Sequence, residues 1–248
     1  MNSRYLKLTK KEWGLFSVRI VFLIAFLLVT FFRTSFHSID IAVNLWIPSI
    51  QSGVLTFFAN GVAFIFDATS LVIISLVISG ILFLKNYKSE GLLLLGAMGS
   101  DALIVSAIKT LEHVARPTNA IVHDVGFSYP SGHSAGCVVF AGVLVYFAWR
   151  YWQNKCSRAL IGVGAGVVIG VVGFDRVYLN VHWVSDVFGG WLFGTFWVLL
   201  VILMFHHLKV VGMFESERFV LVAKLLYSVA VVVGVFVVLY GLVGAKGF

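Results

Sequence analysis

Long runs of apolar side chains alternate with short polar connections along this chain. The runs cover Leu15 to Phe32, a region from Val54 to Leu84, Gly91 to Ile108, Ser134 to Trp152, Ala159 to Phe174, Val187 to Phe205 and Phe219 to Val243. Apart from the second, each is close to the ~20 residues that an α-helix needs to cross ~30 Å of hydrocarbon. Strands of a membrane barrel would alternate apolar and polar residues, whereas these runs are apolar on every side. The expected fold is therefore all-α, a polytopic transmembrane helical bundle. The region from Val54 to Leu84 is too long for one crossing and carries Asp67 near its middle, so it reads as a short surface helix followed by a span from about Thr69 to Leu84. Gly162, Gly164, Gly166 and Gly170, with Ala165, predict that the Ala159 to Phe174 helix packs very closely against a neighbour.

Composition agrees with this pattern: the 248 residues are 60% hydrophobic and only 12% charged, with a mean hydropathy of +1.00. The sizeable polar stretches, the chain start, Arg33 to Gly53, Lys109 to Tyr129 and His206 to Arg218, are too short for a second domain. One integral-membrane domain over residues 1–248 is expected. Cys137 lies in an apolar run and Cys156 in a polar turn, which argues against a disulfide framework. Leu15 to Phe32 lacks a small-residue cleavage site, so it reads as a retained span.

Charge then orients the bundle. With seven spans, one side receives thirteen of the eighteen Lys and Arg residues, and the other only Arg33, Lys109, Arg116, Arg176 and Lys246. The rich side is expected to be cytoplasmic, with the N-terminus. The net charge of +7 is accounted for by topology and anionic-lipid contact and gives no reason to invoke nucleic acid.

Three of the five cations on the poor side lie in polar pieces at the ends of apolar segments. The first piece runs from Lys109 to Arg116 and Pro117. If the preceding helix continues through it, the two cations, seven residues apart, share a face; taken alone, they also read as side chains snorkelling at a helix end. The second is Pro130, Ser131, Gly132, His133, directly before an uncharged helix. Ser131 suits a helix cap and Gly132 leaves backbone N–H groups open to an anion, but capping does not explain the imidazole. In the third, Asp175 and Arg176 close one span while His182 and Asp186 open the next. Four residues apart on a helix, the carboxylate holds one ring nitrogen and leaves the other free as nucleophile or base; a satisfied polar pair is the plainer account. All three pieces fall on one predicted face of the membrane.

In order and spacing, Lys109 with six residues to Arg116 and Pro117, then Pro130, Ser131, Gly132 and His133, then Arg176 with five residues to His182 and three to Asp186, resemble the tripartite signature of the type 2 phosphatidic acid phosphatase superfamily. Its membrane branch includes bacterial lipid phosphate and undecaprenyl diphosphate phosphatases. The resemblance spans roughly residues 91–205 and implies a six-helix phosphatase core, about residues 54–206, with an extra span at about 219–243. It implies that His182 attacks phosphorus with Asp186 behind it, and that His133 protonates the leaving oxygen and later activates water. It further implies that Lys109, Arg116 and Arg176, with backbone N–H groups around Ser131 and Gly132, clamp the phosphate. The family usually has Ser before the third-motif arginine, where this chain has Asp175. That carboxylate either orients Arg176 or repels phosphate.

No cofactor is implied, and no metal: the acids near these motifs are too few and too dispersed for a divalent-metal phosphatase. Asp67 and Asp101 are intramembrane carboxylates that are functional by default but also suited to pairing with a cation or lining the bundle. Glu112, His113, His123 and Asp124 read as surface or loop residues, and Trp46, Trp152 and Trp183 as interfacial anchors. The leading expectation is an integral-membrane lipid phosphatase acting at the extracytoplasmic face on a phospholipid or polyprenyl diphosphate. A phosphotransferase using the same phosphohistidine, and a transporter or scramblase without hydrolysis, are the alternatives.

Overall fold

The computed structural model describes residues 10–215, so the expected span from Phe219 to Val243 lies outside the described residues. Eight α-helices follow one another: α1 (Lys10–Phe31), α2 (His37–Trp46), α3 (Gly53–Ile65), α4 (Ala68–Leu84), α5 (Lys88–Glu112), α6 (Gly132–Tyr151), α7 (Lys155–Tyr178) and α8 (Val184–Val210). No strand occurs among the described residues. The reason is that a helix satisfies its backbone hydrogen bonds internally, as a hydrocarbon surround requires. α5, α6, α7 and α8 are each long and apolar enough to cross a membrane. The α3–α4 pair is bent by 50°, and α1 with the segment after it by 75°; counting each bent pair as one span gives up to six crossings.

The break expected inside the long second run falls at Asp67, whose Oδ2 accepts from the Thr69 N–H at 2.8 Å and so starts α4. Ser52 starts α3 in the same way, and Asn154 starts α7 by accepting from the N–H groups of Cys156 and Ser157. The stretch from Arg33 to Gly53 is more than a polar connection. It contains α2 between two 3-10 turns, Arg33–Phe36 and Ile47–Ile50. Buried Asp40 of α2 accepts from the Ser185 N–H at 2.9 Å and from its hydroxyl at 2.7 Å, which pins this helix to the start of α8.

α8 packs against α6, α1 and α5. Its glycines permit the approach to α6: a Cβ on Gly190 would stand 2.6 Å from the Ser131 carbonyl, and one on Gly194 would stand 2.8 Å from the Ala135 carbonyl. Among the described residues, the expected close packing through the α7 glycines is not found. Gly164, Gly166 and Gly170 have nothing within 4 Å of a Cβ, and Gly162 meets only the Trp149 ring at 4.0 Å. α7 packs on α6 and α3 with other faces, its tight contact being Gly173 against Trp191 and Val187. Small residues permit a close approach but do not compel one, because hydrocarbon covers a glycine face as well as a helix does.

Candidate active site

α5 ends at Glu112, where His113 turns left-handed (φ 49°) and its N–H returns to the Lys109 carbonyl. The helix therefore does not carry Arg116. A folded-back loop delivers it, and it still reaches the same place as Lys109. The physical reason is Pro117, which disfavours helical geometry at the residue before it. Lys109 Nζ donates to the carbonyls of Phe127 (2.6 Å) and Ser128 (3.1 Å). Arg116 donates to the carbonyls of Val181 (2.7 Å), Gly126 (3.1 Å) and Val125 (3.3 Å), and pairs with Asp124 at 2.9 Å. Gly126 takes φ 78°, the left-handed turn that presents this row of carbonyls to the two cations. Asp124 is thus an ion-pair partner rather than a solvated loop residue. His113, read as a surface or loop residue, is exposed and packs edge-on against Phe127.

His182 lies just before α8, in the loop rather than on the helix. Asp186, in the first turn, accepts from the Trp183 N–H at 2.8 Å and approaches His182 Nδ1 at 3.4 Å. The Ser128 hydroxyl lies 3.2 Å from the same Nδ1 and donates a short bond to Asp186. Arg33 reaches Asp186 from α1's end at 3.5 Å. With Nδ1 engaged by these groups, Nε2 is the nitrogen that faces outward, 3.2 Å from Arg116 Nη1. Burial pushes the imidazole down to about 4, against the opposing influence of Asp186 and with Arg116 and Lys109 adding to it. At neutral pH the ring is uncharged, with a lone pair on Nε2.

Ser131 caps α6 by accepting from the Ser134 N–H at 3.4 Å. Its own N–H is already used, donating to the Asp186 carbonyl at 3.0 Å, so of the two residues expected to offer backbone donors only Gly132 still does. The first-turn N–H groups of a helix lack internal acceptors. His133, in that first turn, has Nε2 3.3 Å from Arg176 Nη1 and 3.8 Å from Asp67 Oδ1. Asp175 grips Arg176 through Nε at 2.9 Å and through Nη2 as well, both groups being buried. Of the two roles open to Asp175, the geometry supports orientation of the arginine.

Lys109, Arg116, Gly132, His133 and His182 all line one cavity of about 320 Å³. Sequence reasoning overlooked Ser128, Arg33 and Asp40. Ser128 carries no signal, being one serine in a loop. Arg33 had one: it is among the few cations on the poor side of the charge count. Trp183, taken for an interfacial anchor, donates to the Ala115 carbonyl at 2.8 Å and ties the two loops together. Among the described residues no three His, Cys, Asp or Glu side chains are grouped as metal ligands.

Comparison with known proteins places these features in context. The profile of the PAP2 superfamily matches residues 90–209. Phosphatidylglycerophosphatase B of Bacillus subtilis (strain 168) is 30% identical over 167 residues, which cover 66% of this chain and 82% of that protein. The putative undecaprenyl-diphosphatase YbjG of Escherichia coli (strain K12) is 26% identical over 140 residues, 52% of this chain and 66% of that one. The crystal structure of a transmembrane PAP2 type phosphatidylglycerolphosphate phosphatase from Bacillus subtilis superposes with a TM-score of 0.71 at 28% identity, covering 75% of this chain and 94% of the other.

Proposed function

The chain belongs to the PAP2 superfamily and is a membrane lipid phosphatase, and from that premise we propose that it works through a phosphohistidine on His182 without a metal ion. The observation that carries this reading is the environment of His182: Nδ1 held by Asp186 and Ser128, and Nε2 facing Arg116 across a cavity shared with His133. A phosphate in that cavity replaces the arginine–imidazole contacts with charge-assisted bonds to Arg116, Arg176 and Lys109. Nε2 of His182 forms a bond to phosphorus as the P–O bond to the lipid breaks. Asp186 stabilises the positive charge that develops on the ring. His133 gives its proton to the departing oxygen, then takes one from water. The resulting hydroxide attacks phosphorus, the P–N bond breaks, and inorganic phosphate leaves.

The site lies at the bundle end that receives few cations, so the proposed orientation has it at the extracytoplasmic face with the N-terminus cytoplasmic. A lipid fits such a site because its phosphate meets the clamp while its tail stays in the bilayer. The proposed domain is a single integral-membrane unit, and its catalytic core begins before residue 54, since Arg33 and Asp40 contact Asp186 and Ser185.

The test is phosphate release by purified protein from phosphatidic acid, phosphatidylglycerol phosphate, undecaprenyl diphosphate and a lipid A phosphate, with His182→Ala as control and no acceptor lipid. Release from at least one substrate, absent in His182→Ala and undiminished by excess EDTA, supports the reading. Quenched turnover should yield an acid-labile, base-stable phosphoprotein. Loss of activity to EDTA with restoration by magnesium, or transfer only when an acceptor lipid is added, would refute metal-free hydrolysis.

A further inference from the structure

The cavity extends beyond the phosphate clamp. Past His133 it runs between α4, α5 and α6, where Leu71, Met98 and Val105 supply apolar walls and Asp101 supplies a carboxyl. Asp101 is 3% exposed, and its Oδ1 is buried without a hydrogen-bond partner. Its Oδ2 would lie 3.7 Å from a Cβ on Gly136. Gly136 is three residues along α6 from His133, so the carboxyl sits a little less than one helical turn, ~4.5 Å, deeper than the His133 end of the cavity.

In-line displacement fixes what occupies that space. Nucleophile and leaving oxygen lie on opposite sides of phosphorus, and the acid that protonates the leaving oxygen stands beside it. With His182 as nucleophile and His133 as acid, the cavity beyond His133 takes the atoms that follow the leaving oxygen. These are the first atoms of the lipid alcohol. A carboxyl there, lacking a protein partner, selects for a hydrogen-bond donor on that alcohol. An ammonium group would share the cavity with Lys109 and Arg116, whose charges repel it. A neutral hydroxyl meets no such penalty, and about 4.5 Å reaches a hydroxyl on the second atom beyond the oxygen.

Resting on the phosphatase reading above, we propose that Asp101 is a specificity-determining residue that accepts a hydrogen bond from a free hydroxyl on the leaving alcohol, as in a glycerol linker. The enzyme then favours lipid phosphates with a hydroxyl beside the phosphoester over those without one. Phosphatidylglycerol phosphate has such a hydroxyl; phosphatidic acid, also a monoester, has none near its phosphate.

The experiment compares kcat/KM for these two substrates in the wild type, Asp101→Leu and Asp101→Asn, in the same detergent. Losing one hydrogen bond to a carboxyl lowers phosphatidylglycerol phosphate turnover about tenfold or more in Asp101→Leu, while phosphatidic acid turnover changes less than about threefold. Asp101→Asn keeps an acceptor oxygen and recovers part of the difference. Equal losses on both substrates, or no loss on either, would overturn the assignment. Should Asp101→Leu fail to accumulate, the ratio of the two substrates in Asp101→Asn and Asp101→Ala decides by the same criterion. Wild-type turnover of phosphatidic acid, abolished in His182→Ala, keeps the phosphatase reading intact whatever Asp101 does. A wild type that hydrolyses neither of these two but releases phosphate from undecaprenyl diphosphate or a lipid A phosphate overturns the Asp101 assignment and leaves the phosphatase reading standing; release from none of the four refutes both.

Discussion

His182 and His133 each face an arginine at nearly the same distance, 3.2 Å to Arg116 and 3.3 Å to Arg176, but their surroundings differ. The His182 side chain is 1% exposed and its far nitrogen is held by a buried carboxylate and a buried hydroxyl. The His133 side chain is 17% exposed, and the acid nearest it, Asp67, stands 3.8 Å from the same nitrogen that meets the arginine and is itself half exposed. The difference matches two kinds of work. A nucleophile needs one fixed tautomer and a neutral ring, whereas a group that gives and takes protons needs contact with water. The supports differ too: Arg176 is gripped by the side chain of Asp175, while Arg116 is strung across backbone carbonyls and paired with Asp124.

That contrast is broken first by deleting each ring. His182→Ala should lower phosphate release by about 10⁴-fold or more, because the covalent route disappears. His133→Ala should cost about 10² to 10⁴-fold, and less for an ester whose leaving alcohol is acidic enough to depart unprotonated. Steady-state phosphate release checks both, and equal losses with every leaving group would erase the distinction.

Smaller changes sharpen it. Ser128→Ala removes one of the two groups at His182 Nδ1 and should lower kcat about tenfold with KM little changed, the scale of one buried hydrogen bond. The pH profile supplies a milder test. His182 acts in its neutral form, and burial holds its pKa at about 4, below the ordinary histidine value. Acidification therefore leaves the ring neutral until the pH nears about 4, so the acid limb of kcat/KM should lie below pH 6; a limb at about 6.5 would mean a solvated imidazole. Least affected should be Asp67→Asn. Its carboxylate is too far from His133 for a direct bond, and a change of no more than about threefold is expected. A loss as large as that of Ser128→Ala would make the two imidazoles equally supported.

Most of the helix architecture could be read from the apolar runs, because a hydrocarbon surround admits few backbone solutions. The break at Asp67 and the cap at Ser131 are local matters and followed from spacing; His182 does meet Asp186, but from the loop before α8 rather than from the shared helix that the spacing suggests. Among the described residues Gly162, Gly164, Gly166 and Gly170 of α7 meet no close neighbour, because which face of a helix meets protein and which meets lipid is decided by the neighbours, and a glycine face suits either. α2 was missed because ten residues holding Ser, Asp and Asn make a weak apolar pattern, and its anchoring through Asp40 is a contact with a residue 145 positions away.

By itself the sequence determined that this chain is a membrane-embedded helical protein with three cation and histidine motifs at span ends, since transfer to hydrocarbon depends on composition along each segment. Tertiary structure alone decided that Ser128 joins His182 and Asp186, that a loop rather than a helix carries Arg116, and that Asp101 opens into the cavity beyond His133. Those facts depend on where separate helices meet, and bonds between groups far apart in the chain leave no periodic mark along it.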